Sequence, residues 1–288
     1  MNPLLSDGFR CDGRKPSELR HIKCRLAPFN QADGSSYVEQ GGTKILAAIY
    51  GPHEPETENQ ESECKINVEY YKSPFADIEH RTVKKNDVKS KEIAEKIKNA
   101  LQSAIVVSNY PKSVIDIYLT VIESDGADWS ACVNAAGLAL VDAGIVLKDI
   151  IAACEVVIVE SSENDGMSDE DKDDLKNKIE ETQPSVQIMD ENDPFDQNKI
   201  TDTCHALIDP NREETSSYNV PKLSIALLPK LNKIIAIEVQ GRLHLDRLEV
   251  GLKAAENGAN AISHIFDQMV KGHLHTMNEM RKLDGVED

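Results

Sequence analysis

The sequence predicts an α+β protein with mixed β-sheets. Segments in which polar and apolar residues alternate, typical of strands with one solvated face, fill much of the first half and return near the end. Three other segments repeat apolar residues at helical spacing. No G-x-G-x-x-G or GxxxxGK[ST] turn joins a strand to a helix, which argues against a nucleotide-cofactor fold.

Composition indicates one large domain with an acidic insertion. The chain has 288 residues, 40% of them hydrophobic but only 5% aromatic, so aliphatic side chains must form the core. The net charge of −18 argues against binding nucleic acid through overall charge. Residues 160–202 hold 15 acidic residues against four lysines. We therefore expect one domain over 1–288 that contains an acidic, disordered or partly helical insertion at 161–199.

The sequence pattern of the first half predicts a run of strands. We predict strands at 21–29, 35–39, 44–51 and 65–71, with turns at Asp33-Gly34 and Gly41-Gly42 and an exposed loop at 52–64. Asp87 is the predicted N-cap of a first helix, which ends before Pro111 and has an apolar face made of Ile93, Ile97, Leu101, Ala104 and Ile105. A strand at 114–123 follows.

A second helix is predicted at 130–142, after Asp125-Gly126. Gly144 stands where a left-handed residue ends a helix, and the small side chains of this helix would let it lie close to a sheet. Strands are predicted at 152–160, 200–209, 222–229 and 233–240. Asp246 is the predicted cap of a last helix whose inner face is Leu248, Leu252, Ala255, Ala259, Ile262, Ile265, Phe266 and Met269.

The six cysteines are scattered, with no CxxC pair and no histidine at ligand spacing. We therefore expect no metal and no cofactor, with Cys132 and Cys154 as buried thiols in a reducing compartment. No signal peptide and no apolar run long enough for a bilayer is visible, which predicts a soluble intracellular protein.

Four ordered segments resemble the RNase PH family, in the branch found in RNA exosome rings. They are DGRKPSELRHIKC (12–24), EQGGTKILAAIYGPHE (39–54), DGADWSACVNAAGLALVDAGIVLKDIIAAC (125–154) and LHLDRLEVGLKAA (243–255). The resemblance implies an RNase PH-like fold with two central helices and a long C-terminal helix. It also implies a hexameric ring with other RNase PH-like subunits, cap and hydrolytic exosome subunits, single-stranded RNA, and a location in nucleus, nucleolus and cytoplasm.

The resemblance places the family's phosphate-binding and catalytic site on residues of a different chemical type. Members of the family remove 3′ nucleotides with phosphate, which needs arginines, a helix N-terminus and a carboxylate. The family's G-[TS]-R corresponds to Ala127-Asp128-Trp129, and its arginine pair corresponds to Val88-Lys89. The catalytic acids correspond to Thr215 or Ser216 and to Lys222. An ordinary N-cap is the alternative role for Asp128, and Trp129 either fills core space or stacks on a base.

The expected function is therefore a non-catalytic, RNA-threading subunit of the exosome core ring that supports rRNA processing and mRNA decay. Basic residues near the first helix would contact RNA, or else form a solvated loop: Arg81, Lys84, Lys85, Lys89 and Lys91. One alternative is an active phosphorolytic exoribonuclease rebuilt from Glu213 or Glu214 with Lys89. Another is an acidic adaptor whose insertion recruits a basic partner.

Overall fold

The structure, a computed structural model, describes residues 9–54, 64–79, 87–160, 204–216 and 220–283. Within these ranges the chain forms two β-sheets and four α-helices, so the predicted α+β class is confirmed. No helix among the described residues is long and apolar enough to cross a membrane. The acidic insertion at 161–199 lies outside the described residues.

The two sheets differ in strand direction. The first has the order β1-β2-β3-β5-β4, and it is mixed because β4 and β5 run parallel while the other neighbours are antiparallel. The second has the order β7-β6-β8-β9 and is antiparallel throughout. The strands are β1 Ile22–Leu26, β2 Gly34–Gln40, β3 Thr43–His53, β4 Lys65–Lys72, β5 Val114–Glu123, β6 Ala152–Glu160, β7 Cys204–Ile208, β8 Lys222–Leu228 and β9 Lys233–Gln240.

The first helix begins after Asp87 as predicted, whereas the second and the last begin at other residues than predicted. The helices are α1 Val88–Ala104, α2 Asp128–Asp142, α3 Arg212–Ser216 and α4 Leu245–Leu283, with a 3-10 turn at Val107–Asn109. Asp87 is at the N-cap of α1, but its side chain makes no capping bond. Asp128 is not a cap, because α2 begins at Asp128 itself and Ala127 precedes it in the left-handed region at φ 54°. Asp246 lies inside the first turn of α4.

The short helix α3 lies between two predicted strands, where the sequence analysis predicted no helix. Its start is a reciprocal pair: the Glu214 N–H donates to Asn211 Oδ1 at 2.9 Å, and the Asn211 N–H donates to Glu214 Oε2 at 2.9 Å. This is the capping-box arrangement with asparagine as the cap. The sequence signal was Asn-x-x-Glu at 211–214, which the absence of an apolar run concealed.

Helix α2 lies at the centre of the core, between the sheets. Every residue from Trp129 to Leu140 is buried, as the run of small side chains predicted. A Cβ on Gly34 of β2 would stand 2.4 Å from the Ala143 nitrogen, so glycine is required for this close packing. Gly144 ends the helix at φ 70°, as predicted.

Two predicted buried thiols are confirmed. Cys132 on α2 and Cys154 on β6 are both fully buried. Burial raises the pKa of each thiol well above its usual value, because the thiolate would lose its solvation. Both cysteines are therefore held as unreactive core residues.

Candidate functional site

A cavity of about 590 Å³ opens at the N-terminus of α2. The positions that the resemblance singled out converge here: Ala127, Asp128 and Trp129 from α2 and its approach, Lys89 from α1, Thr215 from α3 and Lys222 from β8. Residues separated by more than a hundred positions in sequence thus line one site. Of the two residues considered for the first acid position, Thr215 lines the cavity, and the side chain of Ser216 lies outside what the structure describes.

Not every predicted contact residue falls at this cavity. Lys91 is exposed on the first turn of α1 and does not line the cavity. Arg81, Lys84 and Lys85 lie outside the described residues, so their role in RNA contact stays a prediction.

The entry to α2 is held by a buried arginine. The Arg20 guanidinium donates to the Asp125 carbonyl at 2.9 Å and to Asp209 Oδ1 at 2.7 Å, and the Arg20 backbone N–H donates to Asp209 Oδ2. Gly126 is at φ 92°, and a Cβ there would stand 2.8 Å from the Asn211 carbonyl carbon. The turn before α2 is therefore packed against the start of α3, which brings these two helix ends to one cavity.

The carboxylate of Asp128 is already engaged. It accepts hydrogen bonds from Lys72 Nζ at 2.9 Å and from the Ser124 hydroxyl at 2.7 Å. Lys72, on β4, also pairs with Asp77 at 3.1 Å, and Arg212 of α3 approaches the same Asp77 at 3.4 Å. A phosphate entering here would meet a negative charge, and two of the nearest cations are held by carboxylates.

Lys222 faces a carboxyl that the sequence analysis missed. Glu155 of β6 is only 7% exposed, accepts a hydrogen bond from Ser224 and interacts with the Lys222 charge. Burial raises the pKa of Glu155 to about 7; Lys222 opposes this rise, and Asp128 and Asp209 add to it. Lys222, a base, therefore stands at the position that the resemblance assigns to a catalytic acid. The buried carboxyl group of Glu155 lies beside it.

The cavity as a whole is charge-balanced. Its lining contains four cations and five carboxylates: Lys72, Lys89, Arg212 and Lys222 against Asp77, Glu79, Asp128, Glu155 and Glu238. Glu238 is further bound to Lys96 of α1 at 2.7 Å, which ties β9 to α1 across the wall. The lining offers an anion no excess of positive charge.

Trp129 is a core residue at the cavity wall. It is 8% exposed and belongs to the main hydrophobic cluster. Its indole Nε1–H is buried and has no hydrogen-bond partner among the described residues. Filling of core space, one of the two roles considered for Trp129, is the one this burial favours.

The carboxylates of the rebuilt-site alternative lie elsewhere. Glu214 is buried against Arg10, which donates from Nε at 2.7 Å and from Nη2 to the other carboxylate oxygen. Glu213 is exposed, and neither glutamate lines the cavity. The geometry therefore gives no support to a catalytic role for this pair.

Among the cavity residues that the sequence analysis missed, some could have been predicted from the sequence more readily than others. Glu155 is the one charge in the interior of the apolar strand AACEVVIVE, whose other glutamate is its last residue, and this marks Glu155 as a buried ionisable group. Lys72 and Arg212 sit at the end of an alternating strand and in a polar stretch, where charged residues are ordinary. In the described ranges, no group of three or more His, Cys, Asp or Glu side chains is arranged to hold a metal ion.

Comparisons with known proteins support the family resemblance that the four segments carry. The sequence model of the RNase PH type, described as 3′ exoribonuclease family, domain 1, matches residues 18–146. The exosome complex component RRP41 of Mus musculus is 34% identical over 275 residues, which is 94% of each chain. The exosome complex component Rrp41 of Thermococcus onnurineus is 31% identical over 258 residues, 89% of this chain and 86% of the relative.

The fold has a solved counterpart. The crystal structure of rice (Oryza sativa) Rrp46 matches with a TM-score of 0.66, covering 90% of this chain and 98% of the rice chain. At 21% identity this likeness concerns the fold alone.

Proposed function

Because this chain belongs to the RNase PH-type 3′ exoribonuclease family, we propose that it is a non-catalytic, RNA-threading subunit of the RNA exosome core ring. Its partners would be other RNase PH-like subunits in a six-membered ring, with cap subunits and hydrolytic subunits that perform the degradation. The names of the relatives with high coverage, from mouse to archaea, support the placement in an exosome. In this role the subunit would support rRNA processing and mRNA decay in nucleus, nucleolus and cytoplasm.

The absence of catalysis rests on one observation, the occupied anion position at the start of α2. The resemblance assigns to Asp128 the position where the family holds phosphate, and the Asp128 carboxylate is bound to Lys72 and Ser124. Trp129 and Lys222 replace an arginine and an acid, so phosphate would lack a bidentate partner and the leaving group would lack an acid.

Phosphorolysis is the first test. We expect the purified protein, alone or with its ring partner, to release no nucleoside diphosphate from single-stranded RNA in phosphate and magnesium. Product analysis of labelled RNA, beside a phosphorolytic member of the family as positive control, measures this. Phosphate-dependent shortening of the RNA would contradict the proposal.

If shortening is seen, two variants identify its origin. Glu213→Ala and Lys89→Ala remove the exposed groups of the rebuilt-site alternative without disturbing the buried Arg10–Glu214 pair. Loss of activity in both would establish that alternative. Unchanged activity in both would exclude Glu213 and Lys89 as the origin of the shortening.

The first turn of α1 supports the RNA-contact part of the proposal. It carries Lys89 and Lys91, both exposed, and no acidic residue. Cations at a helix N-terminus oppose the helix dipole, so the dipole does not favour lysines at these positions. Contact with RNA phosphates gives them a role.

We expect the double variant Lys89→Ala/Lys91→Ala to weaken binding of single-stranded RNA by the assembled ring. Each lost phosphate contact should reduce the magnitude of the slope of log binding constant against log salt concentration by about 0.7. Losing both contacts should therefore reduce it by about 1.4. Titrations at several salt concentrations measure the slope. Lys98→Ala is the matched control, because Lys98 lies further along the same helix and pairs with Glu95. An unchanged slope in the double variant would remove these lysines from the RNA path.

A further inference from the structure

The outer edge of the second sheet exposes a row of aliphatic side chains. β9 pairs with β8 on one side, and no strand within the described ranges pairs with its other side. Ile234, Ile237 and Val239 of β9 are 51%, 52% and 44% exposed. Exposed aliphatic side chains that are contiguous, rather than scattered singly, point to an interaction site. Nothing in the proposed function uses this edge.

The row continues a part of the sheet face that α4 covers. Val239 stands opposite Leu223 of β8, and Ile237 stands opposite Ile225, so each pair shares a face of the sheet. A Cβ on Gly251 of α4 would stand 3.1 Å from Leu223 Cδ2, which places this face under α4. The helix packs against β6, β7 and β8, and it buries Leu223 and Ile225 completely. The aliphatic side chains of β9 lie beyond this cover.

The other face of β9 belongs to the wall of the cavity at α2. Glu238 and Gln240 line that cavity, and Glu238 is paired with Lys96. Because side chains alternate along a strand, the polar ones face the cavity and the aliphatic ones face away from it. The register shift between β8 and β9 falls before Ala236, so residues 236–240 form a regular edge on which another strand can pair.

Two cations stand at the ends of this edge. Lys233 begins β9 and Arg242 follows shortly after its end. Both are exposed, and neither forms an ion pair with another residue that the structure describes. The exposed face of an edge strand often carries a charge that discourages pairing with other chains, whereas the exposed row of β9 is uncharged. Cations at the two ends favour a partner strand with acidic ends.

We propose that the edge of β9 binds an extended segment of another protein, with aliphatic side chains at alternate positions and a carboxylate at each end. Pairing with the β9 backbone supplies affinity, and the aliphatic side chains of the segment cover the exposed row. The carboxylates meet Lys233 and Arg242. A second copy of β9 fits poorly, because pairing in either direction would bring like charges together at both ends.

Binding of a synthetic peptide to the full chain tests this occupant. The probe is the labelled peptide Glu-Thr-Val-Thr-Val-Thr-Val-Thr-Glu with both termini blocked, and fluorescence anisotropy measures its dissociation constant. We expect Ile237→Lys/Val239→Lys to weaken binding at least about tenfold, because two ammonium groups replace the aliphatic contacts. The matched control is Leu274→Lys/Met277→Lys, which adds the same charge at exposed aliphatic positions of α4 and should leave the constant unchanged. Circular dichroism verifies that both variants fold.

Two further peptides separate the charge from the backbone pairing. A peptide with lysine in place of both glutamates should bind at least about tenfold more weakly, and Lys233→Ala/Arg242→Ala should remove that difference. A peptide of the same composition in which the three valines are adjacent keeps the charge but loses the alternation. We expect this peptide not to bind, because its valines cannot all face the exposed row.

Each other result overturns this assignment of the edge. Absence of binding to the unaltered chain would exclude strand addition at β9, and equal effects of the two lysine variants would place the peptide elsewhere. Equal affinity for the peptide with adjacent valines would exclude backbone pairing. Self-association that Ile237→Lys/Val239→Lys abolishes would assign the edge to a second copy, and displacement of the probe by single-stranded RNA would assign it to RNA. The phosphorolysis test is independent of these results, because β9 meets the cavity through its opposite face.

Discussion

Replacing Glu214 by alanine is expected to lower the free energy of unfolding by about 3–5 kcal/mol. Arg10 and Glu214 are both almost completely buried, and the carboxylate receives two of the guanidinium's hydrogen bonds. Alanine leaves a buried positive charge whose remaining partners are the Ile208 and Asp209 carbonyls. The same change removes the side chain that caps α3. Urea denaturation followed by circular dichroism measures the loss.

The neighbouring residue provides the control. Glu213 is exposed on the same short helix, so Glu213→Ala should change stability by less than about 1 kcal/mol. The double variant Arg10→Met/Glu214→Leu should recover part of the loss, because it removes the unpaired charge together with its partner. Equal effects of the two glutamate variants would show that Glu214 is not buried against Arg10.

Replacing Glu155 by glutamine is expected to stabilise the protein at high pH and to matter little at low pH. Burial raises the pKa of Glu155 from 4.5 to about 7, so the folded state binds this proton more tightly than the unfolded state. The resulting stability is complete below about pH 4.5 and is lost as the pH rises through about 7. At pH 8 the cost of ionising the buried group approaches about 3 kcal/mol, which glutamine avoids. Unfolding free energies at pH 5 and pH 8 measure the difference.

Two further variants sharpen this test. Glu69→Gln neutralises an exposed carboxylate on β4 and should show almost no difference between the two pH values. Lys222→Met removes the cation that lowers the pKa of Glu155 and should move the midpoint of the pH dependence upward. A gain from Glu155→Gln that is the same at pH 5 and pH 8 would contradict a raised pKa.

The local pattern of the sequence was sufficient for most of the fold. Alternation predicted β5 to the residue, and helical spacing predicted the buried face of α4 from Ala255 to Phe266. These patterns are readable because each strand or helix has one face in the core, and the period of that face is a local property. Helix starts were harder, since Asp87, Asp128 and Asp246 all look like caps in sequence.

The candidate site was predicted only where the chain resembles a known family. Asp128, Trp129, Thr215 and Lys222 were assigned by their place in matching segments, and the structure brings all four to one cavity. Glu155 could also have been predicted, because a charged residue inside an apolar strand can be recognised from the sequence alone.

The sequence by itself determined the class of fold, the order of its elements apart from α3, the buried cysteines and the residue types at the family's site. Only the tertiary structure decided which charges pair: Lys72 with Asp128, Glu155 beside Lys222, and Glu214 with Arg10. Arg10 and Glu214 are 204 residues apart. Such pairs depend on how the two sheets pack around α2. The periodicity of apolar residues along the chain cannot predict contacts between residues so far apart in sequence.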